Sequence, residues 1–160
     1  MKLTPFCPDG LAVRLALLGG VGRAPLAPGT VATFLAGVPC GYLLGFLELP
    51  LALAATAAVV VASCYVAGFA EKALGRHDCG EIVIDELAGY LVTVVGLPVS
   101  VWNLLAGAVL FRIFDIWKPW PIRQIQILPG GQGIVADDVV AGFYALVLTQ
   151  LLMPVLLQMQ

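Results

Sequence analysis

The chain has 160 residues, of which 61% are hydrophobic and 11% are charged, and its mean hydropathy is +1.00. Soluble domains carry roughly a quarter charged residues, so this composition excludes an ordinary soluble protein and indicates an integral membrane protein. The formal net charge of −2 says little about partners other than the lipid bilayer. The length predicts a single domain, residues 1–160. No nucleic-acid partner is predicted, and the oligomeric state stays open.

The apolar runs predict an all-α fold, a polytopic membrane bundle of about five apolar helices preceded by a short N-terminal interfacial helix. Residues 11–18 are apolar but too few to span a bilayer, which takes about 20 residues, so they predict the short helix. Five longer runs follow in chain order: residues 30–47, 51–70, 82–97, 99–117 and 139–157. The third of these runs is short for a complete span.

The distribution of charge predicts the orientation of these helices. If successive helices alternate in direction, the N-terminus and the loops 71–81 and 118–138 lie on one face. All eight Lys and Arg residues then fall at that face, and Glu48 is the only acid at the other. Because positive residues concentrate on the cytoplasmic side of membrane proteins, we expect the charged face to be cytoplasmic.

Three of the predicted helices bring acidic side chains to this face. Asp85 and Glu86 lie in the third run, Asp115 in the fourth, and Asp137 and Asp138 open the fifth. Charges inside apolar runs are costly, so a functional role is the default interpretation. Carboxylates that converge without a histidine cluster suit a hard cation, and Mg²⁺ completes its shell with water and phosphate oxygens. The pattern predicts a magnesium site, although one acid of the last pair is alternatively a helix cap.

Cationic and hydroxyl side chains near these acids are candidates for binding a phosphate group. Arg112 and Lys118 flank Asp115, and Arg23 and Thr30 lie in the segment that opens the first long helix. Arginine and free helix N–H groups both bind phosphate well. Two simpler alternatives stay open. Arg112 and Asp115 have the i,i+3 spacing of an intrahelical ion pair. The segment with Arg23 is alternatively no more than a turn followed by the start of a helix.

Four blocks of the sequence resemble bacterial phosphatidylglycerophosphatase A. They are LAPGTVAT at 26–33, DCGEIVIDELAGY at 78–90, FRIFDIWKPWPI at 111–122 and GGQGIVADDVVAG at 130–142. The resemblance implies a magnesium-dependent lipid phosphatase of the bacterial cytoplasmic (inner) membrane. Such an enzyme removes the terminal phosphate of the membrane phospholipid phosphatidylglycerophosphate and leaves phosphatidylglycerol, with its active site facing the cytoplasm.

The resemblance also implies roles for residues at matching positions. Catalytic and metal-binding roles carry over to the five acids Asp85, Glu86, Asp115, Asp137 and Asp138. The resemblance places Arg112 and Lys118 near the substrate phosphate. Asp78 and Thr30 also match the family motifs. Arg23 remains a phosphate-binding candidate from the residues alone.

The expected chemistry is the attack of water on a phosphate monoester, with one acid orienting or deprotonating the water. A covalent phosphoaspartate is an alternative that the sequence leaves open. A rival of another class is a divalent-cation transporter or channel that uses the same buried carboxylates. Transport sites tend to lie near the bilayer midplane, whereas these acids cluster at one face, which favours chemistry on a lipid head group.

Overall fold

The computed structural model describes residues 8–75 and 79–157, and this part of the chain is helical without any strand. The helices are α1 (Pro8–Ala16), α2 (Pro28–Leu44), α3 (Leu49–Leu74), α4 (Ile84–Val94), α5 (Val101–Trp117), α6 (Ile122–Ile125) and α7 (Gly131–Leu157). A 3₁₀-helix, Leu18–Arg23, follows α1, and α2 contains a π-helical turn at Thr33–Gly37. Asp78, which matches the family motif, lies outside the described residues. The all-α prediction is confirmed for the described part.

In the described part of the chain, fewer helices are long and apolar enough to span a membrane than the apolar runs predict. Among the described residues, Leu49–Leu74 with 26 residues and Gly131–Pro154 with 24 are long and apolar enough to cross a membrane. Helix α5 has 17 residues, α4 has 11, and the apolar α2 is also shorter than a span of about 20 residues. The prediction of about five spanning helices is therefore not confirmed.

Helix α4 is short because the backbone leaves the helical conformation on both sides of it. Val83 donates its N–H to the carbonyl of Ala16 at 2.9 Å, so the helix begins only at Ile84. At the other end Gly96 has φ +78°, which breaks the helical path. The apolar run 82–97 thus contains a helix of 11 residues flanked by extended and turn segments.

The short N-terminal helix is present as α1, and it packs against the bundle. Val13, Ala16 and Leu17 are buried in a cluster with residues of α3. The helix ends at Ala16 because Leu18 has φ 46° and two glycines follow with positive φ. Its predicted position at a membrane interface stays a prediction.

Helix α7 lies at the centre of the bundle, where it contacts α3, α4 and α5. Its closest approach is to α4, at Gly89 and Gly142. A Cβ atom on Gly142 would overlap the carbonyl oxygen of Gly89, and one on Gly89 would lie 2.6 Å from the carbonyl oxygen of Asp138. Small residues let helix backbones approach this closely. The contact brings the acidic residues that lie one turn before each glycine to the same level of the bundle.

The last helix begins earlier than the apolar run 139–157 predicts. It starts at Gly131, so Asp137 and Asp138 lie well inside the helix, and the interpretation of either as an N-terminal cap is wrong. Glycine in the segment before these acids allows helices to pack closely and does not mark a flexible loop. A Cβ atom on Gly131 would overlap the carbonyl oxygen of Cys64 in α3, so only glycine allows the two helices to meet there.

Candidate active site

One cavity of about 340 Å³ collects all five acids that the sequence singles out. Its walls come from the start of α2, the start of α4, the end of α5 and the second turn of α7. The charged residues that line it are Asp85, Glu86, Arg112, Asp115, Lys118, Asp137 and Asp138. The predicted convergence of three acidic helices is therefore present in the fold, while the chemical role of each acid stays a proposal.

Three of the acids are arranged so that they could share a metal ion. One carboxylate oxygen from each of Glu86, Asp115 and Asp138 lies within 4.8 Å of the other two. Asp115 and Asp138 are only 8% and 3% exposed. The Oδ2 atom of Asp138 is buried and has no hydrogen-bond partner among the described residues. A buried acceptor without a partner is costly, and a cation would satisfy it. These carboxylates therefore fit a hard divalent cation.

Arg112 connects α5 to α4 across the cavity. Its Nη1 atom donates to the carboxylate of Glu86 and lies 2.9 Å from Oδ2 of Asp115. The i,i+3 ion pair that the sequence allows is thus present, but it is one half of a larger contact. The Nε atom of Arg112 is buried without a hydrogen-bond partner among the described residues.

Lys118 connects α5 to α7 in the same way. Its Nζ atom lies 2.5 Å from Oδ2 of Asp137 and 3.8 Å from Oδ1 of Asp115. Lys118 ends α5 in the left-handed region, with φ 47°, an unusual conformation for a residue with a side chain. Burial lowers the pKa of Lys118, but the hydrogen bond to Asp137 and the charges of Asp137 and Asp115 outweigh it and leave the pKa raised. The ammonium group is therefore charged at neutral pH.

The cavity holds more negative than positive charge. Five carboxylates face two cationic side chains, an excess of three negative charges when every acid is ionised. Like charges at short range in a partly buried site repel one another strongly. A divalent cation would offset most of this excess, which is a second reason why these residues fit a metal ion.

Two of the predicted phosphate-binding residues lie outside this cavity. Arg23 is exposed, and its Nε atom lies 3.5 Å from Oε2 of Glu81. The structure therefore does not bring Arg23 to the acids, because the 3₁₀-helix ends there and the chain turns away before α2. Thr30 lines a neighbouring apolar groove, which Arg112 also lines.

The cavity wall that α2 supplies comes from residues that the sequence analysis did not single out. Ala27, Pro28 and Gly29 line the cavity at the N-terminus of α2. A Cβ atom on Gly29 would overlap a carboxylate oxygen of Glu86 and lie 3.0 Å from Nη1 of Arg112. The signal was present in the block LAPGTVAT, where a glycine follows a proline at a helix start, but its contact partner lies far away in sequence.

Comparisons with known proteins identify the family of this chain. The family model for phosphatidylglycerophosphatase A matches residues 14–153. Phosphatidylglycerophosphatase A of Escherichia coli (strain K12) is 42% identical over 130 residues, which cover 80% of this chain and 75% of that protein. The Haemophilus influenzae protein of the same name is 40% identical over 136 residues, 83% of each chain.

A third relative carries a different name. A putative phosphatidylinositol-3-phosphatase of Bacteroides thetaiotaomicron is 35% identical over 148 residues, which cover 88% of this chain and 92% of that protein. No solved structure matches the chain. All three relatives are named as phosphatases of lipids, and two share the name of the matching family model. The chain therefore belongs to the phosphatidylglycerophosphatase A family of phosphatase enzymes.

Proposed function

We propose that this protein hydrolyses the terminal phosphate monoester of phosphatidylglycerophosphate to give phosphatidylglycerol and phosphate, with Mg²⁺ as its cofactor. The observation that carries the proposal is the single cavity that gathers five carboxylates with Arg112 and Lys118. The names of the relatives from Escherichia coli and Haemophilus influenzae support the same substrate. A phosphate monoester is hydrolysed extremely slowly without a catalyst, so a site for it needs concentrated charge.

We place the protein in the bacterial cytoplasmic membrane, with the cavity facing the cytoplasm. Two helices long and apolar enough to span support a membrane location. The cavity contains Arg112 and Lys118, and all eight Lys and Arg residues fall on one face in the topology predicted from the sequence, which supports the orientation. A lipid held there keeps its acyl chains in the bilayer while its head group reaches the acids.

The metal would be held by Glu86, Asp115 and Asp138, whose oxygens lie closest together. When bound, Mg²⁺ supplies positive charge that polarises the phosphoryl group and offsets the charge that develops on its oxygens. Arg112 and Lys118 add positive charge from the protein itself, and they also fix the positions of the acids that they pair with.

We assign the orientation and deprotonation of the attacking water to Asp85. This acid lines the cavity, lies outside the group of three closest carboxylates, and has no cationic partner among the described residues. Asp137, by contrast, is held by Lys118, whose Nζ atom lies 2.5 Å from its Oδ2 atom, so its carboxylate is already engaged. The oxygen of the water attacks phosphorus while Asp85 takes one of its protons, and the bond between phosphorus and the ester oxygen breaks. Asp85 then returns that proton to the departing ester oxygen, which becomes a hydroxyl group of phosphatidylglycerol, and the second water proton stays on the released phosphate.

The direct test is phosphate release by purified protein in detergent from four substrates: phosphatidylglycerophosphate, phosphatidic acid, phosphatidylinositol 3-phosphate and a water-soluble monoester. We expect the fastest release from phosphatidylglycerophosphate. Equal rates on all four would contradict the lipid specificity, and a preference for phosphatidylinositol 3-phosphate would favour the substrate class named for the Bacteroides relative. No release from any substrate would contradict the proposed function.

The cation transporter or channel that the sequence leaves as an alternative gains no support from the relatives, because all three are named as phosphatases.

A further inference from the structure

An open apolar groove adjoins the acidic cavity on the outside of the bundle. It has a volume of about 670 Å³ and runs between α2 and α5. Phe34 of α2 forms one apolar wall, and Val109, Ile113 and Trp117 of α5 form the other. Val109 and Ile113 are 51% and 48% exposed, so the groove is accessible from outside. Its apolar surface suits a hydrocarbon chain.

The groove adjoins the cavity at Arg112 and Ile116, which line both. The guanidinium pairs with Glu86 and Asp115 on the cavity side, and its buried Nε atom still lacks a hydrogen-bond partner among the described residues. Arg112 therefore forms part of the wall between a polar cavity and an apolar groove that lie side by side.

A second arginine lies at the groove without an acidic partner. Arg123 of α6 lines the groove, is exposed, and forms no ion pair with a described residue. Arg112 and Lys118, in contrast, are both occupied by carboxylates. Thr30, with its hydroxyl group, lines the same groove. A free guanidinium next to an apolar surface suits a ligand that is anionic at one end and apolar at the other.

We propose that this groove binds the phosphodiester, the adjoining glycerol and one acyl chain of the lipid whose terminal phosphate enters the cavity. Arg123 contacts the diester phosphate, Thr30 donates a hydrogen bond to it, and the acyl chain lies along Val109 and Ile113. This inference rests on the proposed function, because only a substrate with two phosphate groups and an acyl chain fills both spaces. The groove then selects for the lipid, while the cavity carries out the hydrolysis.

The test separates the groove from the cavity by inhibition of phosphatidylglycerophosphate hydrolysis. Phosphatidylglycerol has the diester and the acyl chains without the terminal phosphate, so it should compete through the groove. Inorganic phosphate should compete through the cavity. We expect Val109→Trp, which fills the groove, and Arg123→Gln, which removes its charge, each to raise the Ki of phosphatidylglycerol roughly ten-fold. The Ki of inorganic phosphate should stay within about two-fold of the wild-type value.

Two matched variants serve as controls. Val61→Trp places the same bulk on α3 at a valine that is 55% exposed and does not line the groove. Arg14→Gln removes an exposed arginine elsewhere. Both should leave the two Ki values unchanged. If Val109→Trp fails to fold, Ile113→Gln tests the same wall by lowering its affinity for an acyl chain.

The outcomes distinguish the inference from the proposed function. Unchanged Ki for phosphatidylglycerol in both groove variants of an active enzyme would overturn the inference and leave the proposed function standing. A change in oligomeric state of Val109→Trp by size-exclusion chromatography, with that Ki unchanged, would assign the groove to a second copy of the chain and also overturn it. No phosphate release by the wild-type protein would contradict the proposed function and the inference with it.

Discussion

Asp138 is the acidic residue whose surroundings most clearly fit a bound cation. Its Oδ2 atom is buried without a hydrogen-bond partner in the described part of the chain, and it lies near the carboxylates of Glu86 and Asp115. Without a metal, such an atom costs about 1–3 kcal/mol of stability. The same side chain that would help to bind Mg²⁺ is therefore expected to destabilise the metal-free protein.

Asp138→Asn tests this double role. We expect the change to lower phosphate release from phosphatidylglycerophosphate by roughly a hundred-fold or more, because the metal loses a charged ligand. In a chelator, the melting temperature of the variant should equal or exceed that of the wild type, since the change removes a repelling charge. Glu48→Gln, at the opposite end of the bundle, is the control and should alter neither quantity. A fully active Asp138→Asn would remove this residue from the site.

Arg112→Lys tests whether the shape of the guanidinium matters in addition to its charge. Arg112 contacts Glu86 and Asp115 together, and a lysine ammonium cannot present the same planar set of donors. We expect kcat/KM to fall roughly ten-fold or more, with the protein still folded. Arg14→Lys, at an exposed position, should behave as wild type. Wild-type kinetics in Arg112→Lys would show that only the charge is needed.

The sequence predicts which acidic residues converge, but it does not predict which basic residue pairs with each of them. Acids inside apolar runs identify Asp85, Glu86 and Asp115, because charge there is costly, and the adjacent pair Asp137 and Asp138 stands out at the start of the last run. The contact between Arg112 and Glu86 joins two helices, and no local spacing reveals it. Arg23 shows the converse: its position near a helix start suggested the phosphate, yet it pairs with Glu81 on the surface.

At the scale of helices, the close contact of α4 with α7 positions the acids. The carbonyl oxygen of Gly89 occupies the space where a side chain on Gly142 would begin. The acids lie one turn away on each helix, so the distance between the two backbones sets the size of the cavity. Two glycines in ordinary helical conformation therefore determine the geometry of the site through this contact.

Gly142→Ala is expected to separate these helices. The added methyl group should cost about 1–3 kcal/mol in the free energy of unfolding and lower phosphate release at the same time. Thermal unfolding in detergent measures the first effect, and an activity assay on the folded fraction measures the second. The stability control is Gly80→Ala, because a Cβ atom there meets nothing within 4 Å. Equal melting temperatures for Gly142→Ala and wild type would contradict the role of this contact.

Helix existence follows from the sequence better than helix ends do. The apolar runs locate α2, α3, α5 and α7, since such runs can be buried only as helices in this composition. The start of α7 at Gly131 was missed because glycines ordinarily mark loops, and the packing of Gly131 against α3 overrides this local preference. The length of α4 was missed because a continuous apolar run does not show that Gly96 turns the chain.

For the whole molecule, the distribution of charge predicts an orientation that the helix lengths alone do not provide. Two described helices satisfy the length and composition of a span, and the shorter helices pack around them. Arg112 and Lys118 line the acidic cavity, and Glu48 precedes α3 at the end of that helix opposite to Lys72. The account therefore requires that the two ends of α3 face opposite sides of the membrane.

Cysteine labelling tests this orientation. In a background without Cys7, Cys40, Cys64 and Cys79, a single cysteine is introduced by Glu48→Cys or by Lys72→Cys, near opposite ends of α3. We expect a membrane-impermeant maleimide to label Glu48→Cys in cells with only the outer membrane opened, and Lys72→Cys only after the inner membrane is permeabilised. The reverse pattern would place the acidic cavity on the periplasmic side and contradict a cytoplasmic site.

The central claim is that one acidic cavity hydrolyses a lipid phosphate monoester with the help of a divalent cation. The measurement that tests it most directly is phosphate release from phosphatidylglycerophosphate by the purified protein with Mg²⁺, after chelation, and after Mg²⁺ is restored. We expect activity to disappear on chelation and to return with Mg²⁺ in the wild type, and to stay absent in Asp138→Asn. The same rate with and without the chelator, or full activity in Asp138→Asn, would contradict the account.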